Sequence, residues 1–257
     1  EELLLGTKKI NEPCTLWIDE ATMMTPYMLN QIWSENIKEL KLFGDSGQIG
    51  PVDMYAVGGR RELSSVMELC LNIKEEDGTY RFDGELLEEL SKARGKQIKY
   101  LGSTNKNTTV KLYDDDKVDL ERVEKIIKDC NIKTVLVFYT DMLKRMDGLR
   151  ISNPGVQFGK VHSLQGTSAE RVLVIQGNNK NNSKGIHLEE KYCYSAASRA
   201  EYELHWLTIG ANKVHPLHSR INGTLKTKTV RIGGALSRGL PTDNEISEFL
   251  EVIHTSL

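Results

Sequence analysis

Residues 14–20 read Cys-Thr-Leu-Trp-Ile-Asp-Glu, and this stretch decides how the 257-residue chain is interpreted. The apolar run predicts a short buried strand, and two carboxylates follow directly at its end. Residues 40–43 predict a second strand that stops at a glycine. Between the two strands, Thr25 is placed as the N-cap of a helix over 25–37, with Pro26 at its first position. A strand, a helix and a strand in this order are typical of a parallel α/β sheet.

The same alternation continues in the second half of the chain. Residues 120–130 have apolar positions at helical spacing, and 133–139, 171–176 and 205–209 are apolar runs typical of buried parallel strands. A helix is also expected over 62–72. The charged, glycine-containing stretch 74–96 is interpreted as a domain junction. The fold class predicted is α/β with parallel sheets.

Composition excludes some classes of protein. The chain has 34 basic and 36 acidic residues, so a globally basic nucleic-acid binder is excluded, although a local basic face is not. No apolar run approaches the roughly 18 residues of a membrane span. The four cysteines are far apart and form no CxxC pair, which predicts free thiols in a reducing compartment.

Polar groups suited to phosphate chemistry follow the two strands of the first half. An aspartate such as Asp19 can hold Mg²⁺, and a neighbouring glutamate such as Glu20 can polarise an attacking water. Gln48, a few residues beyond the second strand, offers both a donor and an acceptor. Each feature alone is equally compatible with an ordinary loop or with a charge near a helix N-terminus.

Two further segments of the second half combine glycine, hydrogen-bonding groups and arginine. Residues 161–168 contain Gln165 and Gly166, where a backbone can approach a phosphate closely. Residues 194–200 are mostly small and carry Arg199, which is suited to stabilising charge on a transferred phosphoryl group.

Taken together, these segments resemble superfamily 1 helicases. The residues that match motifs II, III, V and VI, in that order, are Asp19-Glu20, Gly44-Asp45-x-x-Gln48, Val161-His162-x-x-Gln165-Gly166 and Ala197-Ser198-Arg199-Ala200. The resemblance covers 13–210 and is greatest to viral and phage members of the branch that moves 5′ to 3′. The segment 59–63 resembles motif IV, or IIIa, of plus-strand RNA virus helicases, with Arg61 as its ATP contact.

The resemblance implies two RecA-like parallel-sheet domains, the first truncated at its N-terminus. Residues 1–95 would form the C-terminal part of the first domain, 96–214 the second domain, and 215–257 a basic extension. The implied cofactors are Mg²⁺ and ATP or another NTP. The implied partners are single-stranded nucleic acid, with RNA favoured over DNA, and other replication proteins. The expected location is the cytoplasm, of the host if the protein is viral.

The resemblance also implies a role for each matched residue. Asp19 would hold Mg²⁺, Glu20 would be the general base, and Gln48 and Arg199 would act on the γ-phosphate. The residues expected at the cofactor are Arg61, Gln165 and Gly166, and those expected at nucleic acid are Thr140, His162 and Thr167.

One feature of the family is missing from this sequence. The Walker A loop, G-x-x-x-x-G-K-[ST], does not occur, and residues 155–161 have the wrong spacing for it. The chain is therefore interpreted as a fragment of an NTP-dependent helicase of viral RNA replication, inactive on its own. The alternatives are a non-catalytic nucleic-acid- or protein-binding module with a degenerate helicase fold, and a DNA helicase of phage type.

Overall fold

The computed structural model describes residues 9–53, 61–70, 73–103, 105–177 and 185–210. Three expectations from the sequence lie outside these ranges. They concern Gly59 and Arg60 of the segment 59–63, the interpretation of 178–184 as a polar loop from its run of asparagine, lysine and serine, and the basic extension 215–257.

The strands that open the first half are confirmed. β1 (Cys14–Ile18) and β2 (Ile37–Leu42) pair in parallel as a two-stranded sheet. The helix between them, α1, spans Pro26–Ile32, and the Thr25 side chain caps it by accepting from the backbone N–H of Met28. The start of the helix was predicted correctly, but it ends five residues before the expected 37.

The helix expected over 62–72 is wrong. Residues Arg61–Glu62 form β4, which pairs antiparallel with β3 (Val52–Asp53), and within the described residues 61–70 the helical part is a single 3₁₀ turn at Val66–Leu69. The cause is hydrogen bonding that does not follow a helical pattern. Leu63 donates its N–H to the carbonyl of Pro51, and a capping box at Ser65 begins a new turn.

A larger sheet forms the centre of the second half. After the short parallel pair β5 (Gly78–Thr79) and β6 (Lys99–Tyr100), it contains β7 (Thr109–Asp115), β8 (Thr134–Val137), β9 (Gln157–Lys160), β10 (Ala169–Gln176) and β11 (Ala200–Ile209). The strand order is β7-β11-β10-β8-β9, and all four pairings are parallel. The expected strands correspond to β8, β10 and β11, while β7 and β9 were not predicted.

Helices cover both faces of the larger sheet. They are α2 (Gly84–Arg94), α3 (Leu120–Asp129), α4 (Thr140–Arg145), α5 (Asp147–Ser152) and α6 (Glu190–Ala197). One face packs on α2 and α6, and the other on α3, α4 and α5. The sequence correctly predicted α3. It interpreted the segment that forms α2 as a junction, yet Leu86 and Leu90 are fully buried in the core of this sheet. The domain boundary at 95 stays a prediction.

Within the ranges that the structure describes, every helix is too short or too polar to cross a bilayer. The four cysteines are free thiols, as expected.

Candidate functional site

The two carboxylates lie where β1 ends. The backbone N–H of Ala21 donates to the carbonyl of Phe43 at 2.7 Å, which ties the end of β1 to the end of β2. Glu20, the residue before Ala21, takes a left-handed backbone conformation with φ of 53°, which non-glycine residues adopt infrequently. Asp19 is exposed, and its Oδ1 accepts from the Glu20 N–H at 2.8 Å. The strand end therefore presents an outer and a half-buried carboxylate side by side.

A tight turn places Gln48 beside this strand end. Asp45 holds the turn, because its Oδ1 accepts from the backbone N–H of Gly47 at 2.9 Å and its carbonyl accepts from that of Gln48 at 3.0 Å. Gly44 has no room for a side chain, since a Cβ there would lie 2.8 Å from the Thr22 methyl carbon. Gln48 itself is 9% exposed.

Arg199 reaches this turn from the other half of the molecule. Its guanidinium donates to Gln48 Oε1 at 3.1 Å through Nη2 and to the carbonyl of Thr167 at 3.1 Å through Nη1. Gln165 also donates, to Gln48 Oε1 at 3.4 Å and to the carbonyl of Ile49 at 3.2 Å. The structure thus brings three of the separate sequence segments into one hydrogen-bonded cluster.

Glu20 and Gly166 approach the same cluster. Gly166 has φ of +83°, and a Cβ on it would lie 3.6 Å from Glu20 Oε1. This backbone conformation strains any residue with a side chain, which explains the glycine. The carboxylate of Glu20 therefore faces the loop that follows β9.

Burial changes the charge properties of the cluster. It raises the pKa of Glu20 above its ordinary value, with Arg199 opposing the shift and Asp19 adding to it. Burial, together with the nearby charge of Arg81, lowers the pKa of Arg199 to about 10, and Glu20 and Asp45 oppose that shift. Arg199 therefore remains a cation at neutral pH, and it is only 2% exposed.

Two arginines of this region were missed by sequence reasoning. Arg81 donates to the carbonyl of Ser198 at 3.0 Å, and its charge acts on both Glu20 and Arg199. Arg94 donates to Asp45 Oδ1 at 3.1 Å. The residues next to these two arginines form no motif that marks them. Their partners are distant in the sequence, 117 residues away for Arg81 and 49 residues away for Arg94.

Arg61, expected to contact ATP, lies on the short antiparallel β3–β4 pair, and its neighbours Glu62 and Leu63 line the same cavity as Gln48. It is an exposed residue of β4, opposite Asp53. Among the described residues, it is Arg81 and not Arg61 whose charge acts on Glu20 and Arg199. The role of Arg61 stays a prediction, and Arg81 is the better placed of the two.

The three residues expected at nucleic acid lie in segments that connect the strands of the larger sheet. Thr140 is exposed at the start of α4, directly after β8. Thr167 is exposed, and its hydroxyl donates to the carbonyl of Leu164 at 2.7 Å. His162 is half-buried after β9, where burial and the charge of Lys160 lower its pKa. Thr140 and His162 follow the ends of β8 and β9, at the edge where open α/β sheets bind ligands, whereas Thr167 lies two residues before the start of β10.

Unpartnered polar atoms indicate what the cluster is suited to hold. The Nε of Arg199, Oε1 of Gln165 and Oγ1 of Thr22 are buried without a hydrogen-bond partner in the described part of the chain. A buried guanidinium N–H needs an acceptor, and a phosphate oxygen is a suitable one.

The donor set also bears on the metal. In the described ranges, no group of three or more His, Cys, Asp or Glu side chains is arranged to hold a metal ion. A single carboxylate such as Asp19 fits Mg²⁺, which proteins commonly hold through one or two carboxylates together with phosphate oxygens.

Parallel sheets with a carboxylate pair, a glutamine and arginines at the strand ends define a RecA-like core. The model of the viral superfamily 1 RNA helicase core domain matches residues 6–208, and the chain belongs to this family. The resemblance to superfamily 1 helicases that the motifs indicated is therefore confirmed.

Solved structures agree on the fold. The arterivirus nonstructural protein 10 helicase matches with 16% identity and a TM-score of 0.50, over 83% of this chain and 41% of its own. A complex of the same arterivirus protein with DNA matches with 13% identity and a TM-score of 0.51, over 84% and 43%. The PRRSV helicase matches with 15% identity and a TM-score of 0.50, over 82% and 38%. The chain thus spans about two fifths of the length of these helicases. No curated protein sequence matches it.

Proposed function

We propose that this chain is part of an NTP-dependent helicase that hydrolyses ATP or another NTP to move 5′ to 3′ along a single strand, in viral RNA replication. The observation that carries the proposal is the buried contact of Arg199 with Gln48, beside Glu20. A cation, an amide and a carboxylate from three distant segments meet there, and the cation retains an unpartnered N–H. This combination is suited to stabilising charge on a γ-phosphate.

The chemistry assigns one role to each group. Bound Mg²⁺, held by Asp19, would neutralise phosphate charge. Glu20, whose raised pKa makes it a better proton acceptor than an ordinary carboxylate, would take the proton of the attacking water. Gln48 would orient the water or the phosphate, while Arg199 and Arg81 would stabilise the charge that develops on the γ-phosphate.

Three features support the proposal that further chain completes the site. The sequence contains no Walker A loop, and the chain spans about two fifths of the solved helicases. In addition, Trp17 and Phe43 are 63% and 45% exposed on one face of the β1–β2 sheet. Parallel sheets are usually covered on both faces, so this face is suited to receiving another segment of the same domain.

Nucleic acid is proposed to bind at the loops after β8 and β9. Thr140, His162 and Thr167 lie in these segments. In the segment after β9, Gln165 donates to Gln48 Oε1 and Gly166 lies near Glu20. The solved complex of the arterivirus helicase with DNA supports nucleic acid as the ligand class. RNA is favoured here because the family is one of RNA helicases. Other replication proteins are proposed partners, and the host cytoplasm is the proposed location.

The test compares this chain with the same chain extended by the residues encoded before Glu1. NTP hydrolysis is measured with and without single-stranded RNA or DNA. We expect no hydrolysis by the chain alone, RNA-stimulated hydrolysis by the extended protein, and a loss of about a thousandfold on Arg199→Ala. Hydrolysis that is unaffected by Arg199→Ala would refute the assigned site.

The second candidate is a non-catalytic binding module with a degenerate helicase fold. It predicts that the natural reading frame begins near Glu1 and that single-stranded RNA binds with no NTP hydrolysis. If single-stranded DNA stimulates NTP hydrolysis by the extended protein more strongly than RNA does, the hypothesis of a DNA helicase of phage type is favoured instead.

A further inference from the structure

Arg94 lies where the two halves of the candidate site meet. It is the last residue of α2, which Gly95 ends in a left-handed conformation with φ of 64°. Because Leu86, Leu90 and Ala93 bury this helix in the core of the larger sheet, the backbone that carries Arg94 is fixed. The side chain leaves that core and reaches the Asp45–Gln48 turn, and it is only 20% exposed.

The guanidinium contacts both elements at once. Nη1 donates to Asp45 Oδ1 at 3.1 Å and to the Tyr194 hydroxyl at 3.4 Å, and Nη2 donates to Ser46 Oγ at 3.2 Å. Its central carbon also lies 5.2 Å from the centroid of the Tyr194 ring, within the range of a cation–π interaction. Tyr194 belongs to α6, five residues before Arg199. One side chain therefore joins the turn that carries Gln48 to the helix that leads to Arg199.

Asp45 links Arg94 to Gln48, because its carboxylate contacts both side chains. Its Oδ1 is shared between Arg94 and the Gly47 N–H, and its Oδ2 accepts from the Gln48 side-chain amide at 3.4 Å. With its amide nitrogen held by Asp45, Gln48 presents its oxygen to Arg199. The packing is close, since a Cβ on Gly47 would lie 3.0 Å from the Arg94 guanidinium carbon.

We propose that Arg94 is a positioning residue for NTP hydrolysis, which fixes Asp45 so that the Gln48 side chain stays oriented toward Arg199. The proposal rests on the proposed function for its catalytic consequence. Its structural basis does not depend on that function, because the contacts lie within this chain.

The first experiment uses this chain alone, so that it does not depend on activity. Amide hydrogen exchange of Gly47 and Gln48 is measured in the wild type, in Arg94→Met and in Arg94→Lys. We expect Arg94→Met to speed exchange about tenfold at these two amides and Arg94→Lys to be intermediate, because lysine keeps the charge but not the forked geometry. The matched control is Lys92→Met, two residues earlier on α2, where the side chain is 50% exposed. It should leave both amides at the wild-type rate.

The second experiment measures steady-state NTP hydrolysis by the extended protein. Arg94→Met should lower kcat by about tenfold to a hundredfold with KM for NTP changed less than threefold, since orientation is lost and binding is kept. Asp45→Asn should give a similar loss, and the double variant should lose little more than either single variant.

The outcomes separate the two proposals. If the wild-type extended protein hydrolyses no NTP, the proposed function fails, and the exchange experiment alone decides whether Arg94 holds the turn. If the wild type is active and Arg94→Met keeps its kcat, or if exchange at Gly47 and Gln48 is unchanged, the positioning role is overturned.

Discussion

The two parallel sheets differ in how completely they are covered. Trp206 on β11 is fully buried, and its indole N–H donates to Gln176 Oε1 at 2.9 Å. Trp17 on β1 is 63% exposed, beside Phe43 and under the ammonium group of Lys41. In the described part of the chain, the larger sheet has helices on both faces, whereas the buried residues of the smaller sheet lie on the side of α1. Stability therefore depends mainly on the larger sheet, while the smaller sheet supplies the carboxylates of the site.

The largest effect expected from this difference is on stability. Trp206→Ala should lower the free energy of unfolding by about 4 to 5 kcal/mol, because it opens a large cavity and removes the shorter of the two hydrogen bonds that Gln176 Oε1 accepts. The matched change Trp17→Ala should cost less than about 1 kcal/mol, since that ring is already largely in water. Urea unfolding followed by circular dichroism measures both. Equal losses for the two variants would contradict the contrast between the sheets.

The next effect concerns chemistry at the smaller sheet. Glu20→Gln should lower NTP hydrolysis by the extended protein about a hundredfold to a thousandfold, because the amide cannot accept the proton of the attacking water. The fold should persist, since Glu20 lies at a strand end outside the buried cores. Steady-state kinetics measures the loss.

The control for this variant is Glu35→Gln, an exposed glutamate of the same half of the chain. It should retain the wild-type rate. Wild-type hydrolysis by Glu20→Gln would reject Glu20 as the base.

Whether a helix or strand could be predicted from the sequence depends on how far apart in the chain the residues that determine it lie. Helix α3 and strand β8 were predicted because their apolar spacing is local. Strand β7 reads Thr-Val-Lys-Leu-Tyr-Asp-Asp, with too little apolar character to be recognised, and its identity comes from pairing with β11 about ninety residues later.

The same distinction holds at the site. Glu20, Gln48 and Arg199 were found because each lies in a recognisable short motif. Arg81 and Arg94 were missed because nothing in the adjacent residues marks them, and their importance comes from contacts with Ser198 and Tyr194, each at least a hundred residues away. Arg61 was chosen because the segment 59–63 resembles motif IV, or IIIa, and its role stays a prediction, while the fold brings the charge of Arg81 to act on Glu20.

The smallest effect is a dependence of stability on pH that originates at Glu20. Burial raises its pKa above the ordinary value of 4.5, so the folded protein binds this proton more readily than the unfolded chain does. Stability is therefore lost as pH rises from the unfolded pKa through the folded one, and the ionised carboxylate destabilises the fold at neutral pH.

Glu20→Gln removes that cost. The variant should unfold at a slightly higher temperature than the wild type at pH 7, and the difference should disappear as pH falls below 4.5. Thermal unfolding of this chain from pH 8 to pH 4 measures it. A variant less stable than the wild type at pH 7 would mean that attraction to Arg199 outweighs the cost of burial. The electrostatic interaction of Glu20 with Arg199 would then stabilise the fold near the smaller sheet, whereas the larger sheet is stabilised by the packing of buried side chains.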